Sequence, residues 1–267
     1  MLRRTLFLLW SLWAVALSSG AGPTTVESFV QPPPGFTRIA VKPGSFAATL
    51  RQLELVPDTV ITSGDGKRQL CADEKVAATR IAPFDNKNDV GVDGITKLWG
   101  EHLWRNRGGR GISFPLDNGQ IATWADWRDG LRPRERGGRF TFVQVTTPDG
   151  SAASYQQFLS FVAEEMGALA LRRESTVIFD DSLTVGDILV AVRKDGQSSV
   201  GLIVDMCKGP RGERLYLMGT SGTPSTSFYI MRPYSPVQGL NEWFTLDGAK
   251  WAIGDGARID TRRVTLK

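Results

Sequence analysis

One histidine and two cysteines are spread over 267 residues, and that scarcity excludes more chemistry than any motif supplies. An ordinary zinc site takes three or four N, S or O ligands. His102, Cys71 and Cys207 do not make one, and Glu101 does not complete it, because adjacent helical residues look in different directions. No metal and no cofactor is therefore expected. There is no G-x-S-x-G elbow and no glycine-rich phosphate loop behind a strand. Carboxylates are present at Glu101, Glu164, Glu165, Asp187 and Asp205, but carboxylate pairs are too common to diagnose a glycosidase-type site. Internal repeats are missing as well. The formal net charge is only +4, and Arg3 and Arg4 contribute to it, so charge balance gives no reason to expect a nucleic-acid partner. A hydrophobic content of 41% with 22% charged residues is that of a globular protein.

Long apolar runs are lacking everywhere but the N-terminus. There a basic "MLRR" precedes "TLFLLWSLWAVAL", thirteen residues, and the small residues of "SSGAG". Spanning the hydrocarbon core takes about 20 apolar residues, so residues 1–21 read as a signal peptide cut after Ala21, with an uncleaved anchor as the alternative. No cysteine stands directly after the cut, which argues against lipid attachment. The expected localisation is export, periplasmic or extracellular, with no membrane span after cleavage. In an oxidising compartment Cys71 and Cys207 are a candidate disulfide. It would be worth ~4–5 kcal/mol if unstrained, against the alternative of free buried thiols.

Residues 22–35, through "QPPPGF", have no periodicity and read as an extended arm. Residues 36–267 read as one α+β domain, an antiparallel sheet packed against helices. A strand, a Pro-Gly turn and a short helix from near Ser45 come first. The oxygen-rich "DNKNDVGVDG" is interrupted by Lys87 and reads as a solvated loop rather than a calcium loop. "DGITKLWGEHLWRN" has helical spacing, with Asp93 as a candidate cap. "ISFPLDNGQIATW" is a hairpin signal around Asn118-Gly119. The arginine-glycine stretches "RNRGGRG" and "RPRERGGR" read as solvated loops, since no aromatics are interleaved to stack on bases. If functional, they suit an anionic envelope polymer. "SYQQFLSFVAEEMGALAL" is a helix with Tyr155, Phe158, Leu159, Val162, Met166 and Leu169 on one face, and Ser154 with Gln157 fits a capping box. "GDILVAVRKDGQSSVGLIVDM" is a second hairpin.

The segments "PPPGFTRI", "GITKLWGEHLW", "ISFPLDNGQIATWADWRDG", "SYQQFLSFVAEEMGALAL", "LTVGDILV" and "VGLIVDM", in that order, resemble a bacterial family of exported proteins of unknown function. The later half is similar to the NlpC/P60 branch of papain-like amidases. That resemblance implies a papain-like (NlpC/P60-like) fold, in which a thiolate at a helix start attacks an amide and a strand histidine serves as its base. Carried onto this chain, the cysteine position falls at Gly91, or Gly94 on a looser alignment, and the histidine position at Ser199. Neither residue can do the chemistry. The expectation is thus a catalytically degenerate domain that binds peptidoglycan or another envelope polymer, with Trp99, Trp104, Trp124 and Trp127 as candidate groove residues. One alternative is an amide hydrolase with a non-cysteine nucleophile, Ser198 or Ser199, assisted by Glu101, His102 or Asp205. A structural or protein-interaction module is a third.

Overall fold

The structure is a computed structural model that describes residues 23–56, 60–62, 67, 69, 75–81, 84, 92–192, 198–221, 226–234, 239–254 and 257–265. In chain order its elements begin with α1 (Val26–Phe29), β1 (Thr37–Arg38), α2 (Phe46–Arg51), β2 (Leu55–Val56) and β3 (Lys75–Thr79). Then come α3 (Asp93–Arg107), β4 (Ser113–Pro115), β5 (Ile121–Thr123), α4 (Trp124–Arg128), β6 (Leu131–Arg136) and β7 (Arg139–Gln144). The remainder is α5 (Ala152–Glu165), α6 (Ala168–Glu174), β8 (Ser175–Val177), β9 (Ile188–Val192), β10 (Ser198–Lys208), β11 (Arg214–Thr220), β12 (Tyr229–Met231), α7 (Leu246–Gly254) and β13 (Arg258–Val264).

Among the described residues, eight strands run in the order β2-β3-β12-β11-β10-β9-β13-β8, and β1 pairs with the far end of β10. Every pairing in this sheet is antiparallel. One face of the central strands, with Val190, Val200, Leu202 and Leu217, packs into the core that holds α3 and α5. The other face, with Leu189, Ala191, Ile203 and Met218, packs on Ala249 and Ile253 of α7. A sheet covered on both faces needs apolar residues at consecutive positions rather than alternate ones. That is why "ILVAV" and "VGLIV" read as unbroken apolar runs.

The helix signals hold, with shifts at the ends. Ser45 caps α2 by accepting from the Ala48 N–H at 3.3 Å. α3 spans the expected stretch, but Asp93 lies in its first turn behind Val92 and does not cap it. Gly108 ends it in the left-handed conformation at φ 56°, closing onto the Trp104 carbonyl at 2.9 Å. α5 starts three residues before the expected capping box, with Ser151 accepting from Ser154 N–H at 3.2 Å. Leu169 leaves the expected stripe for α6, where it is 60% exposed.

Two expectations change more. The 22–35 arm contains α1, a one-turn helix capped by Thr25, with Val26 and Val30 buried. "RPRERGGR" is not a loop but the turn and flanks of the β6–β7 ribbon, a separate two-stranded sheet.

Candidate functional site

The start of α3 is where the resemblance puts a nucleophile. Gly91 lies outside the described residues, as do Cys71 and the Asp85, Asn86, Asn88 and Asp89 of the oxygen-rich loop. Gly94 is described and packed tight. Its N–H donates to Ser221 Oγ at 3.0 Å. A Cβ built on it would sit 3.0 Å from both Phe228 Cβ and Ser221 Oγ. A side chain at Gly94 would press on Phe228 and Ser221, which flank the β11–β12 connection and would have to give by a few tenths of an ångström.

Ser199 does not face that place. It pairs with Ala191 of β9, while Ser198 pairs with Val192. Residues directly opposite in an antiparallel pair share a face. Ala191 belongs to the α7-side core and Val192 packs on the α3-side core, so Ser199 lies on the α7 face and Ser198 on the α3 face. A slip of one residue reverses every side chain of a strand, and that slip separates the counted base position from the one that shares a face with α3.

Asp205 is committed elsewhere. The register against β11 slips between Ile203 and Asp205, and such a bulge re-aims the bulged residue. The carboxylate, fully buried, accepts from Arg38 Nε at 2.6 Å and Arg51 Nε at 2.8 Å. It also accepts the Met206 N–H at 2.8 Å. Arg38 reaches the Val30 carbonyl and Arg51 the Ile39 carbonyl. This is a clamp joining β1 and α2 to the sheet, not a free acid. The next residue but one, Cys207, is a free thiol, wholly buried. Burial, with Asp205 adding to it, pushes its pKa up to about 12, which removes it as a nucleophile.

Asp187 is likewise structural. It takes the Arg263 guanidinium at 2.8 and 2.7 Å and the Thr184 N–H at 2.7 Å, tying β13 to the turn that opens β9.

His102, on the third turn of α3, meets α2 instead of Asp205. Its Nδ1 lies 2.8 Å from Thr49 Oγ1, and its ring sits edge-on to Phe46 at 5.3 Å. Burial, then Arg107 and Arg105, lowers its pKa and so favours the neutral ring. At about 1.5 Å rise per residue, eight residues put it roughly 12 Å from Gly94 along α3. The two cannot act on one bond.

Glu101 lines a hollow of about 560 Å³ between α2 and α3. Its walls carry two ion pairs, Glu54–Arg80 at 2.6 Å and Glu101–Arg105 at 3.7 Å, together with Thr49 and Gln52. Leu53 and Leu98 contribute an apolar floor. This mixed lining is the kind that fixes orientation with few polar groups over apolar contact.

The tryptophans do not line it. Trp99, Trp124 and Trp127 are buried, and Trp104 is half-buried against Tyr155 at 4.3 Å. Together with Phe158 and Phe161 they knit α3, α4 and α5 into the core. Trp99 touches a cavity of about 70 Å³, too small for a polymer unit. They pack the interior and form no groove. The residues that sequence reasoning missed, Thr49, Arg38, Arg51 and Arg80, are ordinary polar positions whose partners lie far along the chain, and no local pattern marks them.

These features define an α+β protein with a large antiparallel sheet between helices, a closed helix start, and an open hollow beside α2. The chain belongs to the family described as domain of unknown function (4846), whose model matches residues 26–254. No curated protein and no solved structure matches it. No helix among the described residues is long and apolar enough to cross a membrane.

Proposed function

We propose that this chain is an exported papain-like domain that has kept its scaffold without the thiol chemistry, and that it binds a cell-envelope ligand, peptidoglycan or a related polymer, in the hollow between α2 and α3. The observation that carries the loss of chemistry is the crowded start of α3, where a side chain at Gly94 would press on Phe228 and Ser221 at 3.0 Å. Ser199 on the opposite sheet face supports it. The hollow supports binding, since paired charges of both signs above an apolar floor suit a ligand that is itself zwitterionic, as short peptides are.

The test is calorimetric titration of purified muropeptides and intact peptidoglycan, with turnover followed in the same samples. Saturable binding without turnover is expected, weakened at least tenfold by Arg80→Glu with Arg105→Glu. Absence of saturable binding refutes the ligand; measurable turnover refutes the loss of chemistry.

One observation favours an amide hydrolase with a non-cysteine nucleophile: Thr49 Oγ1 against His102 Nδ1 at the wall of the hollow. A nucleophile held by a neutral base is the required pairing. Turnover abolished by Thr49→Val would establish this reading and displace the first.

A further inference from the structure

The β6–β7 ribbon sorts its charges by face. Its register pairs Leu131 with Gln144, Pro133 with Phe142 and Glu135 with Phe140 on one side, and Arg134 with Thr141 and Arg136 with Arg139 on the other. The first side is held to the body. Phe140 and Phe142 pack edge-on against Phe161 of α5, at 5.4 and 6.2 Å. Gln120 bonds Phe140 through both its carbonyl and its N–H, at 2.8 and 2.7 Å, and Asn118 reaches the Gly138 carbonyl at 3.1 Å. The only acid of the two strands, Glu135, lies on this side and accepts the Gly138 N–H at 2.7 Å.

Toward the turn, the second side is free. Arg134, Arg136 and Arg139 are all exposed, and no guanidinium of the three has an ion pair or hydrogen bond among the described residues. Arg136 and Arg139 stand directly opposite each other across the turn, an arrangement of like charges that weakens a hairpin. Gly137 and Gly138, at φ 60° and 75°, give the tight turn that holds them there. Successive residues on one face of a strand are about 7 Å apart, so the three cations form a compact, rigid patch. Arg132, at the ribbon's base, is taken up by Trp127, 4.2 Å from its ring.

Apolar groups share the patch. Val143 is on the same side, and Val145, whose N–H still pairs with Gly130 at 3.1 Å, continues the alternation and is 52% exposed. We infer that this face docks on a lipid surface carrying anionic headgroups, the three arginines taking phosphates and the valines entering the headgroup boundary. Nucleic acid is the weaker match, because the ribbon's aromatics point inward and leave no stacking platform. The inference is independent of what occupies the α2–α3 hollow.

Each basic residue near an anionic bilayer strengthens binding by roughly fivefold, so three together give about a hundredfold. The experiment is flotation of the chain from residue 22 onward, so that the apolar leader contributes nothing, with phosphatidylcholine vesicles containing or lacking 30% phosphatidylglycerol. Binding is expected only with phosphatidylglycerol. It should fall about fivefold for Arg136→Gln and about a hundredfold for Arg134→Gln, Arg136→Gln and Arg139→Gln combined, and weaken steeply as salt rises. Val145→Ser should weaken it further while leaving the salt dependence unchanged. Thermal melting of each variant at the wild-type temperature shows that folding is intact. Equal binding to neutral vesicles, or anionic binding untouched by the triple variant, overturns the proposal. So does duplex DNA captured more tightly than vesicles and lost in the same variant, which would assign the ribbon to nucleic acid.

Discussion

Replacing Asp205 with asparagine removes a charge without changing shape, and the consequence can be worked from its partners. The carboxylate is fully buried and sits between Arg38, 15% exposed, and Arg51, 8% exposed. Its bonds of 2.6 to 2.8 Å have the length of charge-assisted ones. Removing one member of a buried ion pair costs ~3–5 kcal/mol, because the other charge stays behind uncompensated. Both arginines keep a carbonyl, Val30 for one and Ile39 for the other, and Arg38 can draw water at its exposed edge. The expected loss therefore sits at the lower end, about 3 kcal/mol. Urea unfolding at neutral pH measures it as a shifted midpoint at unchanged slope. In a background of Arg38→Met and Arg51→Met the same substitution should cost about 1–2 kcal/mol less, since contacting residues couple. A loss below about 1 kcal/mol, or full additivity between the sites, would refute the clamp and return Asp205 to the candidates for chemistry.

Gly94→Cys places a thiol at the start of α3, where its Cβ would press on Phe228 and Ser221 at 3.0 Å. The variant should lose about 1–3 kcal/mol as an overpacked core site and gain no amidase activity; wild-type stability with a titratable thiol would contradict this. His102 has its pKa lowered by burial, then by Arg107 and Arg105. The unfolded chain therefore binds the proton more readily, and this stabilising contribution, complete above the unfolded value of 6.5, is lost as pH falls through the folded one. Urea midpoints taken from pH 7.5 down to 5 should fall more steeply for wild type than for His102→Gln, and parallel profiles would exclude the assignment. Glu165 has its pKa raised by burial first, then by Glu164, Asp117 and Glu135. Its ionised form is disfavoured in the fold, so mild acid relieves it, and Glu165→Gln should stabilise at pH 7 by up to about 0.5 kcal/mol. A destabilised Gln variant would show that the carboxylate has a favourable partner.

The parts of the fold legible in sequence are those whose period is set by one buried face. Tyr155, Phe158, Leu159 and Val162 recur at helical spacing because α5 buries that stripe, and Asn118-Gly119 marks its hairpin because few residues suit such a turn. The β9–β10 pair was legible as strands, since two covered faces give two apolar runs. Its facing was not, because a one-residue count decides which side Ser199 takes and nothing local fixes that count. The β6–β7 ribbon escaped notice for another reason. Pro133 and the Gly-Gly pair read as breakers, while the apolar residues that anchor it, Phe140 and Phe142, find Phe161 on a helix further along the chain. Ion partners were beyond reach altogether: Asp205 lies 167 residues from Arg38 and 154 from Arg51. The tryptophans were visible, but their number says nothing of whether they line a surface or fill a core, and packing three helices together takes large rings.

A reactive centre needs groups that are reachable, mutually oriented and not already spent on the fold. Here Asp205 is taken by two arginines, Asp187 by Arg263, Ser221 by the Gly94 N–H, and Cys207 is sealed in the core. His102 alone keeps a hydroxyl partner beside open space. Natural folds satisfy buried polar groups almost completely, so commitment of this kind is expected of structural residues and leaves function to whatever remains uncommitted. Among what remains are the hollow between α2 and α3, with its two ion pairs, and the arginine face of the ribbon, whose cations repel one another with no partner among the described residues. Exposed ion pairs contribute little to stability, and opposed like charges subtract from it. Stability therefore explains neither surface, which is why both are the places to test for function.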